Sequence, residues 1–395
     1  MVVKPIGSRS PAECEAGRTP EAGRARSVEL TRDPPSPRPD TGPDAGAVWH
    51  YGDPLGEQRA AETEALVIDR SHRGVLTLTG ADRQTWLHSI STQYVSDLPE
   101  GASTQNLSLD GQGRVEDHWI QTELAGTTYL DTEPWRAGPL LDYLRKMVFW
   151  SDVTPAAADL AVLSLLGPKL AERAVLDALG VDALPAEAAA VPTRGGFLRR
   201  MPAGPAGRLE LDLVVPRAEA ADWRNRLAQA GVRPGGVWAY EAHRVAARRP
   251  RLGVDTDERT IPHEVGWIGG PGQGAVHLDK GCYRGQETVA RVHNLGRPPR
   301  MLVLLHLDGS VDRPATGDPV QAGGRAVGRL GTVVDHVDLG PIALALLKRG
   351  LPADTALATG PQAAVAAVID PDSLPAAEQI GAGRLAVERL RGGAG

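Results

Sequence analysis

Cys282 lies in the tract Asp279-Lys280-Gly281-Cys282-Tyr283-Arg284-Gly285-Gln286-Glu287, with a cation two residues to either side. Cationic neighbours favour a thiolate over a thiol and draw a cysteine below its reference value of about 8.5. The following QETVARVHN can form a helix, which would put Cys282 near a helix N-terminus, where the dipole also stabilises an anion. Gly281 and Gly285 bracket the thiol and permit unusual backbone angles or the close approach of a ligand. The tract reads as a reactive cysteine on a tight loop. It reads equally as a small buried hydrophobe in a turn leading into a helix, because free cysteine is among the most buried residue types. Composition leaves both readings standing.

The surrounding chain restricts the setting. Only one other cysteine is present, Cys14, so neither a CxxC metal site nor a disulfide framework can form. Free thiols suit a reducing compartment, no stretch reaches the ~18–20 apolar residues that span a bilayer, and no secretory signal is evident. A cytoplasmic location without membrane contact is expected. The net charge of −6 argues against a dedicated nucleic-acid binder, although Arg248-Arg249-Pro250-Arg251 could form a local basic groove. No His/Cys/Asp cluster has metal-ligand spacing, so no zinc and no resident iron–sulfur cluster are expected.

The elements that must position the tract can be read from periodicity. Residues 1–47 are Pro-rich with almost no apolar pattern, and read as a disordered tail holding Cys14. GVLTLTG at 74–80 alternates like a strand, and Asp82 opens a helix through Tyr94. Two strand-like runs within 105–124 flank the turn Asp110-Gly111-Gln112-Gly113, as in a hairpin. Strands follow at 127–131 and 159–167, with helices over Pro139–Phe149 and Pro168–Leu179. A second hairpin-like pair lies within 196–216, and helices near 217–230 and 236–248 precede a long loop at 250–275. Beyond Pro298-Pro299 short alternating strands with Gly turns predict a small β-barrel over 298–371, then a terminal helix and frayed end within 372–395. Helical and stranded segments together make the class α+β.

The run Lys280–Glu287 matches in every fixed position the K-G-C-[FY]-x-G-Q-E signature of the YgfZ family, which the chain resembles from about Trp49 to Asp370. That family is similar to the folate-binding T protein (aminomethyltransferase) of the glycine cleavage system and to a mitochondrial factor that matures four-iron clusters. The resemblance implies T-protein-like folate-binding modules around a central cavity over 48–297, followed by the barrel. It implies Cys282 and Lys280 as catalytic residues, with Tyr283, Gly285, Gln286 and Glu287 beside the ligand. SLDGQGRVEDHWI at 108–120 corresponds to a hairpin whose acidic pair, here Glu116-Asp117, lies near the folate. ELDLVVP resembles the segment whose carboxylate binds the pterin, which places Asp212 there; a carboxylate can accept two hydrogen bonds from an aminopyrimidine edge. WAYEAHRVAARRPRLGVD matches the family's helix through Glu241 and Arg244, which are also spaced to pair with each other for structure. Glu264 of the loop before the tract is placed towards the cavity, and His263 reads as polar surface.

The implied function is a monomeric tetrahydrofolate-binding protein that supports assembly or repair of iron–sulfur enzymes, including those that thiolate tRNA, without direct nucleic-acid contact. Its partners would be folate, as tetrahydrofolate or a one-carbon derivative, and iron–sulfur clients. Two alternatives compete with it: an aminomethyltransferase of the glycine cleavage type, and a non-catalytic folate-stabilised scaffold. The T-protein block usually lacks the cysteine and the Gln-Glu ending, so Cys282, Gln286 and Glu287 favour the first.

Overall fold

In the computed structural model the described residues are 36–37, 42–202, 208–295, 297–309 and 312–374, all within one compact unit. Two large sheets, a two-stranded one pairing Ser36–Pro37 with Val48–His50, and a barrel carry the chain, so the α+β class with a C-terminal barrel holds. A five-stranded antiparallel sheet runs in the order Ser103–Leu109, Val115–Leu124, Thr127–Thr132, Gly74–Thr79, Thr154–Ala158. A six-stranded sheet runs Ala189–Pro192, Phe197–Arg200, Glu210–Pro216, Leu160–Leu166, Leu66–Asp69, Arg233–Gly235, the last pair parallel.

Alternation along the central strands of the six-stranded sheet separates two environments. Leu163, Leu165, Leu211, Leu213 and Val215 pack against Trp223 and Leu227 of the helix Ala220–Gln229 and against the helix Arg173–Leu179. Ser164 and Asp212 point the other way and stand opposite each other in the register, with Arg199 next in the row. That inner face meets the five-stranded sheet, where Val162, Phe197 and Val214 pack with Val75 and Leu124 and buried charges join the two sheets beside them. Arg199, 1% exposed, binds Asp212 at 2.7 Å on its own sheet and Asp131 at 2.6 Å on the other.

The same ion network continues through the molecule. Arg73 bridges Asp131 and Glu133, Arg251 bridges Glu133 with Asp44 and Glu241, and Arg244 links Glu241 to Asp255. Asp44, which falls within the expected tail, is instead buried, because its carboxylate is needed by Arg251 and His72. The rest of the expected tail, apart from 36–37 and 42–47, lies outside the described residues, as does the terminal helix beyond Leu374.

The barrel is closed, in the order Arg300–Leu307, Gly340–Lys348, Arg325–His336, Pro319–Ala322, Leu357–Thr359, Val365–Ile369. Val303, Leu305, Val320, Leu330, Ala343 and Ala345 fill it. Helix limits differ from expectation at three places. The helix expected from Asp82 through Tyr94 ends at Ile90, because Ser91 turns to extended backbone. The helix expected over Pro139–Phe149 runs Pro134–Lys146, with Pro139 inside it, and Phe149 beyond its end has φ 46°. Pro134 supplies the preset φ that suits a first helical turn. The one expected over Pro168–Leu179 is a 3-10 turn, Pro168–Ala171, then the helix Arg173–Leu179. Among the described residues no helix is long and apolar enough to cross a membrane.

Candidate functional site

A cavity of about 550 Å³ opens where the two sheets, the helix Val237–Ala246 and the barrel converge. Seven arginines line it: Arg70, Arg73, Arg244, Arg248, Arg249, Arg251 and Arg349. Only two carboxylates among the described residues do so, Glu133 and Glu264. Both are committed, Glu133 to Arg73 and Arg251, and Glu264 to Arg300 at 2.7 Å. Five of the arginines are paired in turn: Arg70 with Asp212, Arg73 with Asp131 and Glu133, Arg244 with Glu241 and Asp255, Arg249 with Glu210, and Arg251 with Asp44, Glu133 and Glu241. The described lining therefore offers no unpaired carboxylate, and much of its guanidinium charge is balanced.

Aromatic rings supply a further part of the wall, beside aliphatic residues such as Ile120, Met201 and Leu302. His118 stacks on Trp267 with centroids 4.7 Å apart and planes 6° from parallel. Burial, with the Arg73 charge beside it, pushes His118 down to about 4, so its ring is neutral at physiological pH. The Arg70 guanidinium lies 3.8 Å over the ring of Tyr240. Burial pushes Tyr240 up to about 12, keeping its hydroxyl a donor. Two side chains in the wall carry atoms without partners: Nε of Arg249 and both ring nitrogens of His263 are buried without hydrogen bonds. His263, expected as surface, is half-buried, and burial followed by the nearby His293 lowers it to about 4. A neutral imidazole there offers one donor and one acceptor.

The residues carried over by resemblance divide into several places. Arg244 lines the cavity, while Glu241 beside it is tied to Arg244 at 2.6 Å and to Arg251 at 3.2 Å, the structural pairing that their spacing allowed. Asp212 is not in the wall; its oxygens accept from Ser164 at 2.6 Å and Arg199 at 2.7 Å, leaving no free edge for an aminopyrimidine. On the strand Val115–Leu124, His118 and Ile120 face the cavity and Trp119 faces the core behind the sheet. Asp117 follows Trp119 by alternation, buried against Ser108 at 2.8 Å and Arg136 at 2.7 Å. Glu116 pairs with Arg284 at 2.9 Å near the surface. Both border a separate cleft of about 760 Å³ that also includes Trp135 and Tyr143.

The Cys282 tract is not part of the cavity lining either. Cys282 is exposed, which removes the reading as a buried hydrophobe. Tyr283 packs with Leu107, Val265 and Trp267, so the tract supports the cavity wall from behind. Gly285 has φ 82°, and a Cβ there would come within 2.7 Å of the Asp110 carbonyl oxygen, so only glycine lets the tract lie on the hairpin turn. Gln286 donates to the Lys280 carbonyl at 3.2 Å and begins the helix Gln286–Leu295, while Glu287 is exposed. His118, Tyr240, Trp267 and Arg349 are not among the residues that the sequence reading singles out. For His118 a signal exists, its one-residue offset from Asp117 on an alternating strand, whereas Arg349 is brought in only by the barrel.

Glu133 gives the site a measurable acid response. Burial raises its carboxyl, and Arg251 and Arg73 more than reverse this, taking it from 4.5 to about 2. A depressed carboxylate adds stability that is complete above the unfolded value and is lost as pH falls from about 4.5 towards 2. The expected contribution is about 3 kcal/mol. Urea unfolding midpoints across that range should fall steeply for the native chain and less steeply for Glu133→Gln.

The two larger sheets and the C-terminal barrel together make a fold that a solved aminomethyltransferase shares. The sequence agrees: the chain belongs to the family of the GCVT N-terminal domain, which matches residues 49–268. An aminomethyltransferase of Chromobacterium violaceum is 29% identical over 233 residues, covering 55% of this chain and 61% of that protein. One from Herpetosiphon aurantiacus is 26% identical over 321 residues, 76% of this chain and 83% of that protein. The chain spans about three fifths of the length of several curated relatives. The crystal structure of glycine cleavage system aminomethyltransferase T from Bartonella henselae has the same fold, with a TM-score of 0.72 at 20% identity, over 83% of this chain and 91% of that one.

Proposed function

We propose that the chain binds tetrahydrofolate or a one-carbon derivative in the arginine-lined cavity and supports the assembly or repair of iron–sulfur enzymes, tRNA-thiolating enzymes among them, as the YgfZ signature implies. The observation that carries the folate part is the cavity itself: about 550 Å³, lined by the rings of His118, Tyr240 and Trp267 and by seven arginines, with no unpaired carboxylate among its described lining residues. That chemistry suits a flat heteroaromatic ligand with an anionic tail. The residues fit the group, with one departure. Asp212 is occupied by Arg199, so the pterin edge would be met by the unpartnered His263 and by Gln273 rather than by a carboxylate. Bound folate would supply a one-carbon carrier; the chain's own part is to orient it and exclude water.

Aminomethyl transfer is the second reading, favoured by the names of the relatives above. Against it stands the engagement of Glu133 and Glu264 with arginines, which leaves the cavity without a free carboxylate base among the described residues. The test has two parts. Calorimetric titration with tetrahydrofolate should show saturable binding, weakened about tenfold or more by Arg349→Gln with stability unchanged. An iron–sulfur enzyme in a strain lacking the protein should regain activity with wild type and not with Cys282→Ala at equal protein level. Robust glycine cleavage turnover with a lipoylated carrier would instead establish the transferase.

A further inference from the structure

The Lys280 ammonium is directed at three main-chain oxygens: those of His88 and Ser91 in short contacts, and that of Gln93 at 3.3 Å. These carbonyls lie at the end of the helix Arg83–Ile90 and in the turn after it, where helix carbonyls have no intrahelical donors. The side chain is 5% exposed, and its nitrogen is 5.2 Å from the centre of the Tyr283 ring. Burial lowers it to about 8. Gln286 closes the same loop from its far end by donating to the Lys280 carbonyl. The thiol of Cys282 is left exposed between these two ties. The other flanking cation, Arg284, is drawn to Glu116.

We propose that Lys280 is a positioning residue for Cys282: by capping the carbonyls at the end of the helix Arg83–Ile90 it fixes the loop that presents the thiol, and acts through the main chain rather than through its charge. The importance of this rests on the role given to Cys282 above, but its test reads the thiol directly and does not depend on folate or on an iron–sulfur client. The segment that Lys280 grips is itself anchored. Gln93 donates to Gly269 at 3.0 Å and Gly274 at 2.7 Å, and Thr92 donates to Ala275 at 2.7 Å, so the cap ties the cysteine loop to the cavity-wall loop through one short stretch of chain.

The test uses the full chain carrying Cys14→Ser, so that Cys282 is the sole thiol. Alkylation by iodoacetamide is followed from about pH 6 to about pH 10 with Lys280, Lys280→Met and Lys280→Arg. Arginine keeps the charge, but its planar fork cannot serve three converging carbonyls. Both variants are expected to alter the limiting alkylation rate at least about threefold and to raise amide exchange over residues 278–285 about tenfold or more, with the same pH midpoint of alkylation in all three proteins. A midpoint that rises by about one unit in the Met variant and is restored by Arg would overturn the proposal in favour of activation by charge. If the variants do not fold, the native protein decides. A Lys280 ammonium resonance protected from solvent exchange supports the cap, and one exchanging like a surface lysine rules it out.

Discussion

Arg199→Met should lower the unfolding free energy by about 3–5 kcal/mol, measured by urea or guanidinium denaturation near neutral pH. Arg199 is 1% exposed and binds one carboxylate on each sheet, Asp131 at 2.6 Å and Asp212 at 2.7 Å. Methionine fills similar volume but leaves Asp212 with only Ser164 at 2.6 Å and a distant Arg70 at 3.8 Å. Asp131 keeps Arg73 at 2.9 Å, so the damage should concentrate on Asp212. Adding Asp212→Asn should therefore recover part of the loss, because an amide is far cheaper to bury than an unpaired carboxylate. A loss below about 1 kcal/mol would mean that water reaches the carboxylates and that the network does not hold the sheets together.

Gly285→Ala should cost about 2–4 kcal/mol and loosen the hairpin turn at residues 110–113. Two effects add. The φ of 82° is costly for any residue with a Cβ, and the new atom would sit 2.7 Å from the Asp110 oxygen and 2.8 Å from the Gly113 Cα, both backbone. Neither can swing away as a side chain would. Gly281, four residues earlier in the same tract, is the internal control: a Cβ there would meet nothing within 4 Å, and its φ is not positive. Gly281→Ala should stay within about 0.5 kcal/mol of the native chain. Equal effects at the two positions, read from thermal melts and amide exchange of the hairpin, would refute this account of the docking.

Much of the architecture was legible because it is written in local periodicity. The alternating strand 74–79, the hairpin around Asp110–Gly113, the helix after Gln286 and the closed barrel all come from patterns spanning a few residues. The limits of irregular pieces were less legible. Asp44 looked like part of a polar tail, since nothing near it in sequence announces the arginine 207 residues away that buries it.

The candidate site was legible in its residue types and not in its grouping. The sequence by itself determined that Cys282 stands in a glycine-bracketed cationic tract, that Glu241 and Arg244 share a helix face, and that arginines cluster at 248–251. Only the tertiary structure decided what those charges do. It joins Arg199 to Asp212 and Lys280 to the carbonyls near Ser91, and it leaves the thiol in solvent and the cavity lined by Arg349 and His118. The physical reason is that the partner of a buried charge is chosen by which strands and loops meet in space. A residue's type limits what it can bind, but the register of distant elements sets what it does bind.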